Sequence, residues 1–253
     1  MKIVLTFDIE RDIPDFLNTD FGLKYGIYKI LDLLSEFHIK ATFFCTGIVS
    51  EQYPEVISHI EKMGHEIGCH GANHERMNKL PYDYCKKSIS DNRNMLKKLC
   101  PNSEIIGFRA PYLKPPQFIF RLLADLNFRY DSSIKPKHAK SYPITVPEIQ
   151  EFHPLSIYPF FRLPLTFCFI RKWVLRQELI ILYFHSWEAI DIKKLLDSQK
   201  LNSKLVRTYL VRPDRWINTG DRFIFRLKKF ISEILSRKGE FITLKNLIHS
   251  KQT

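Results

Sequence analysis

Short apolar runs alternate along this chain with longer stretches in which apolar residues recur every three to four positions. The runs Ile3–Asp8, Ala41–Cys45, Glu66–Cys69, Ile105–Arg109, Leu163–Phe167, Leu179–His185 and Phe241–Leu244 predict strands. Between them, Leu23–Phe37, Pro54–Met63, Pro81–Leu99, Pro116–Leu126 and Asp221–Arg237 predict helices. Pro81 and Pro116 stand where a helix can begin, and Gly64 and Gly239 follow helical periodicity as C-terminal glycines do. Strands alternating with helices are the pattern of β/α units around a parallel sheet. Lys135–Pro164, rich in Pro and Tyr, predicts an irregular loop over the mouth of that sheet. No linker or internal repeat divides the chain, so residues 1–253 are read as one α/β domain.

Composition narrows the class. Hydrophobic residues make up 45%, ordinary for a globular protein, and no stretch approaches the roughly 18 apolar residues of a membrane span. The N-terminus runs directly into a strand without a charged, apolar leader, which predicts a cytoplasmic protein. Five cysteines, an odd number with no Cys-x-x-Cys, predict free thiols and suggest neither a disulfide framework nor a zinc ribbon. Net charge is +12, and residues 171–253 hold 18 Lys and Arg against 8 Asp and Glu, a surplus of ten. That surplus suits an anionic partner such as a lipid or nucleotide carrier, or a solvated basic surface; no nucleic-acid module is recognisable. In Asp221–Arg237, Phe223, Leu227, Phe230, Ile231, Ile234 and Leu235 share one face, interleaved with Arg222, Arg226, Lys228 and Lys229. Such a helix either contacts an anionic membrane surface or covers the wall of the domain.

Candidate chemistry lies in four segments: Thr6-Phe7-Asp8-Ile9-Glu10, His70-Gly71-Ala72-Asn73-His74, Arg109-Ala110-Pro111-Tyr112 and Phe184-His185-Ser186-Trp187. Two histidines four apart place both rings on one side of a helical turn. With one carboxylate they form a three-ligand set that leaves a position open for water, the arrangement of catalytic zinc. Asp8 and Glu10, two apart, share a face if the segment is a strand. Hydrolysis of an unactivated amide needs a metal-activated water with a base beside it. Asp8, Arg109 and His185 fall at the C-terminal ends of predicted strands, and His70 follows one; that rim is where α/β barrels assemble their active sites.

Taken in order from residue 4 to about residue 246, these segments resemble the polysaccharide deacetylases (NodB homology, carbohydrate esterase family 4). The resemblance implies an irregular (β/α)7-type barrel. It implies Glu10, His70 and His74 as ligands to Zn2+ or another divalent transition metal such as Co2+, and Asp8 as general base, paired with Arg109. The Tyr112 N–H would stabilise the oxyanion and His185 would act as general acid, held in its charged form by Asp131 of Tyr130-Asp131-Ser132-Ser133. Tyr183 stands where the family more often has Leu and would line the acyl pocket. Gly71 replaces the usual Ser or Thr, so the orientation of His70 must come from elsewhere. Trp187 is read either as a surface for stacking a sugar or as core. The expected activity is removal of an N-linked acetyl group from an amino sugar carried on a polysaccharide, glycolipid or sugar conjugate. The alternatives are hydrolysis of a non-sugar C–N bond, as in cyclic imides or ureides, and non-catalytic glycan binding.

Overall fold

Alternation along the first strand separates two cores. In β1 (Lys2–Ile9), Ile3, Leu5, Phe7 and Ile9 enter the larger core beneath the helices, while Val4 belongs to a smaller one inside the curled sheet. Both rows are buried, as expected of a parallel sheet covered on both sides. The computed structural model describes residues 1–14, 16, 17, 19–198 and 212–249. The strands after β1 are β2 (Thr42–Cys45), β3 (Glu66–Cys69), β4 (Gly107–Phe108), β5 (Tyr130–Asp131), β6 (Gln150–Glu151), β7 (Leu179–His185) and β8 (Glu240–Phe241). The helices are α1 (Ile27–Glu36), α2 (Gly47–Gln52), α3 (Pro54–Lys62), α4 (Tyr82–Leu99), α5 (Ile119–Asp125), α6 (Tyr158–Phe161), α7 (Pro164–Val174), α8 (Ile192–Ser198), α9 (Asp221–Ser236) and α10 (Leu244–His249).

Seven parallel strands, in the order β6-β5-β4-β3-β2-β1-β7, curl into the irregular barrel that the resemblance implies. One bridge, Leu155 N–H to Ile181 O at 2.9 Å, links the two ends of the curl. The eighth strand, β8, pairs with Lys2 and Ile3 at the start of β1, whereas β2 pairs with Thr6–Ile9.

The barrel interior holds Val4, Phe44, Tyr130, Phe152 and Ile181, closed by Ile242, Leu244, Leu247 and Ile248 of the C-terminal segment. Two glycines make the interior possible. A Cβ at Gly68 would stand 2.6 Å from the Phe44 ring, and one at Gly107 would stand 1.9 Å from the Tyr130 ring. Glu66 is buried in this interior, where burial raises its carboxyl pKa. It accepts hydrogen bonds from the Tyr130 and Thr42 hydroxyls at 2.7 Å each, and from the Lys245 N–H at 3.0 Å.

Three expectations are corrected. Leu163–Phe167 is not a strand: Pro164 opens α7, whose buried or half-buried residues Phe167, Ile170, Arg171 and Val174 repeat with helical spacing. The last strand ends at Phe241, and Leu244 begins a helix. The loop 135–164 contains β6 and α6, elements too short to leave a periodic signal. For Asp221–Arg237 the structure decides between the two readings. Phe223, Leu227, Phe230, Ile231 and Ile234 are buried, with Phe223 packed on Phe161 and Phe184, so that face covers the barrel wall. Among the described residues no helix is long and apolar enough to cross a membrane.

His65, at the entry to β3, supplies a pH-dependent element of stability. Its Nδ1 accepts the Ala41 N–H at 3.3 Å, its ring packs on Phe43, and burial depresses its pKa to about 4. The folded chain therefore keeps His65 neutral in a range where the unfolded chain takes up a proton. This stability is present above about pH 6.5 and is lost as pH falls toward 4. Asp12, whose carboxyl burial raises to about 6, titrates in the opposite sense, so the comparison must be made against a variant. In urea unfolding, the stability advantage of the wild type over His65→Gln should shrink by up to about 3 kcal/mol between pH 7 and pH 4. A difference independent of pH would overturn this assignment.

Candidate active site

Register in the sheet brings the predicted residues together. Asp8 on β1 is the direct neighbour of His185 on β7. His70 follows β3 with its N–H bonded to Cys45 O at 3.0 Å, and Arg109 follows β4 with its N–H bonded to Cys69 O at 2.9 Å. Parallel strands that end at one level thus deliver an acid, two histidines and an arginine to one rim. Asp8, Glu10, His74, Tyr112, Tyr183 and His185 line a common cavity of about 570 Å³.

The two histidines converge by a route other than the predicted helical turn. Residues 71–76 are irregular, and Gly71 (φ 73°) and His74 (φ 56°) both adopt left-handed backbone conformations. Gly71 is required by that backbone, and a Cβ there would also stand 2.7 Å from Met77. Asn92 of α4 holds the turn, donating to Cys45 O at 2.8 Å and Gly71 O at 2.7 Å. Sequence reasoning gave no sign of this role for Asn92, an ordinary polar residue in a helical stretch.

The orientation of His70 comes from the backbone: its Nδ1 lies 2.7 Å from the carbonyl of Arg109. That contact puts the proton on Nδ1 and leaves Nε2 as a lone pair, buried and without a hydrogen-bond partner. Nε2 is 3.7 Å from Glu10 Oε2, and His74 Nε2 is 2.5 Å from the same oxygen. One ligand atom from each of Glu10, His70 and His74 falls within a 4.8 Å cluster. Burial raises the Glu10 carboxyl pKa, but the neighbouring imidazoles, His74 foremost, outweigh it, holding the group well below the usual range. An ionised carboxylate, two imidazoles and an orphaned buried nitrogen fit a divalent cation with an open coordination position.

Arg109 is fully buried and uses its whole guanidinium. It donates to Asp8 Oδ1 at 2.8 Å, Thr6 Oγ1 at 2.9 Å, Ser132 O at 2.9 Å and Ser132 Oγ at 3.0 Å. Asp8 Oδ2 faces His70 Nε2 at 3.8 Å. Tyr112 (φ 60°) packs its ring on His74 at 4.4 Å between centroids, beneath the Arg76 guanidinium.

His185 directs Nε2 toward Glu10 Oε1 at 3.8 Å and Nδ1 toward Glu188 Oε1 at 3.2 Å. The expectation that Asp131 holds His185 is corrected here: Glu188 occupies that position, and Arg162 braces Glu188 at 2.9 Å, both side chains fully buried. Asp131 instead accepts from Ser133 Oγ at 2.5 Å and stands in register with Glu151. Burial and the adjacent Asp131 carboxylate raise the Glu151 pKa strongly, and burial raises that of Asp131 as well, so the pair binds a proton more readily than an exposed acid. Ser133 also accepts the Ala110 N–H at 2.7 Å, so Asp131 organises the backbone next to Arg109. Glu188 was legible only as the acid three residues after His185. Arg162, far away in sequence, left no signal.

Trp187 is fully buried and stacked on His185 at 4.9 Å, so it packs the histidine and is closed to sugar. Tyr183 does line the cavity, with its ring edge-on to His185 and its hydroxyl 3.2 Å from Ser156 Oγ.

Comparison with known proteins bears on the family and the fold. The profile of the family described as polysaccharide deacetylase matches residues 1–130. A peptidoglycan-N-acetylglucosamine deacetylase of Bacillus cereus is 31% identical over 115 residues, 46% of this chain and 36% of the relative. A peptidoglycan deacetylase of Helicobacter pylori is 27% identical over 137 residues, 54% of this chain and 46% of the relative. The aligned segments thus span less than half the length of either relative. Among solved structures, the Bc1960 peptidoglycan N-acetylglucosamine deacetylase superposes with a TM-score of 0.61 at 19% identity, covering 97% of this chain and 86% of that one. BA3943 of Bacillus anthracis, a pseudoenzyme, superposes with a TM-score of 0.59 at 13% identity, covering 97% and 64%. At these identities the superpositions establish the fold alone.

Proposed function

The chain belongs to the polysaccharide deacetylase family, and from that membership we propose that it hydrolyses the N-acetyl amide of an amino sugar with a divalent cation, Zn2+ by the chemistry of its donor set. The observation that carries the proposal is the convergence of Glu10, His70 and His74 beside Asp8, with an orphaned imidazole nitrogen among them. A cation held there supplies Lewis acidity toward the amide carbonyl and acidifies water.

This chain's own residues divide the remaining work. Asp8, fixed by Arg109, accepts the proton of the attacking water. The backbone N–H of Tyr112 donates to the oxygen that becomes negative. His185 Nε2 delivers a proton to the departing nitrogen, and Glu188 holds the ring through Nδ1. Tyr183 bounds the space for the acyl group. The pseudoenzyme neighbour makes a binding role the alternative class, but here an acid, a base and three ligand-type side chains are all present in one cluster.

The direct test is acetate release from N-acetylglucosamine oligosaccharides by protein loaded with Zn2+ or Co2+, with a cyclic ureide in parallel. Hydrolysis of the sugar that stops on chelation and returns with metal is expected. Turnover of the ureide alone would replace the proposal. Glu188→Gln keeps the side-chain shape and should lower kcat by about 10- to 100-fold, with KM and metal content unchanged. A change confined to KM would remove its positioning role.

A further inference from the structure

The catalytic cavity is walled by cations: Arg76, Lys114, Lys135, Arg212 and Arg215. The carboxylates lining it are Asp8 and Glu10, and both are engaged, Asp8 by Arg109 and Glu10 by His74. Just outside the lining, Asp214 accepts two hydrogen bonds from Arg212, each 2.8 Å, and stands 3.8 Å from Arg215. Among the described residues no acidic side chain forms an ion pair with Lys114 or Lys135. Burial lowers the pKa of the Lys135 ammonium, and the charges of Lys137 and Lys114 lower it further, so the amines repel one another on this wall. Lys114 and Lys135 thus leave a surplus of two positive charges on this wall among the described residues. A single carboxylate cannot balance that surplus; a phosphate carries close to two negative charges and three acceptor oxygens. Arg76, fixed over the Tyr112 ring at 4.1 Å next to His74, places a guanidinium beside the reacting centre.

Resting on the amide-hydrolase reading above, we infer that the substrate is an N-acylated amino sugar bearing a phosphate ester, whose phosphate sits against Lys114 and Lys135. The same headgroup chemistry occurs in a free sugar phosphate, a nucleoside diphosphate sugar and a sugar linked to a lipid through phosphate.

The experiment compares kcat/KM of the zinc-loaded full chain for neutral N-acetylglucosamine disaccharide, N-acetylglucosamine 1-phosphate, its uridine diphosphate ester and its polyprenyl diphosphate ester. N-acetylmuramic acid serves as the carboxylate control. At least about a tenfold preference for a phosphate-bearing sugar over both the neutral and the carboxylate sugar is expected, shrinking as salt is raised. The preferred ester identifies the source. In Lys114→Gln/Lys135→Gln the preference should fall to threefold or less, through KM; in Lys97→Gln/Lys98→Gln, the same charge change on α4 away from the cavity, it should persist. Equal use of neutral and phosphorylated sugars, preference for the carboxylate, or a preference intact in the double variant overturns the inference while leaving the hydrolase reading standing. If no sugar is hydrolysed, the hydrolase reading fails, and calorimetric binding of N-acetylglucosamine 1-phosphate decides separately. Binding tighter than that of the disaccharide and lost in the double variant upholds the anion site, and equal binding sinks it.

Discussion

Asp8→Asn is expected to bind one divalent ion per chain and to release acetate about 10²- to 10⁴-fold more slowly than the wild type. The reason is geometric. Asp8 lies beside the ligand cluster without being one of its three members, 3.8 Å from His70 Nε2 and held by Arg109 at 2.8 Å. Asparagine preserves the shape and can still accept from Arg109 through its carbonyl, so the fold and Glu10, His70 and His74 stay in place. What it loses is the ability to take up a proton at neutral pH. Metal content by atomic absorption and acetate release together separate this from loss of the ion. If the variant bound metal normally and retained a third of the wild-type rate, the base would have to be sought elsewhere.

Arg109→Leu should cost about 3–5 kcal/mol of folding stability. The side chain is fully buried, and its removal takes the donor from the Asp8 carboxylate and the Ser132 carbonyl, while the Thr6 and Ser132 hydroxyls keep their own bonds to Leu182 O and Phe152 O. Most of the penalty arises from leaving Asp8 charged and unpaired in a water-poor interior, not from the pair's intrinsic strength. The double variant Arg109→Leu/Asp8→Asn should therefore be less destabilised than the sum of the single changes, by about 1 kcal/mol or more. Urea unfolding of the four proteins closes that cycle. Strict additivity would mean the two groups are energetically independent despite their contact.

Much of the site was legible because its chemistry depends on residue types at fixed short spacings. Asp8 and Glu10 differ by two along a strand, and His185 ends a seven-residue apolar strand whose register sets it beside Asp8. The errors share one cause: they concern partners chosen by tertiary packing, which residue spacing does not show. Asp131 and Glu188 are both acids near a motif. What separates them is that β5 turns Asp131 toward Ser133 and Glu151, while the turn after β7 folds Glu188 back under His185. Trp187 follows His185 whether it is buried or open, and only the helices packed over it decide. Leu163–Phe167 carries enough β-branched and aromatic residues to suit a strand, but tertiary burial of Phe167, Ile170 and Val174 selects the helix.

By itself the sequence determined the parallel β/α alternation and the segments that carry the candidate residues, since strand period and residue spacing are local properties; their candidate roles came with the family resemblance. Only the tertiary structure decided which backbone carbonyl orients His70, which acid supports His185, and that five cations from four separate segments face one cavity. Those outcomes depend on which chain segments meet in space. A contact between residues 70 and 109, or 162 and 188, is set by the packing of whole elements and leaves no mark in the spacing of neighbouring residues.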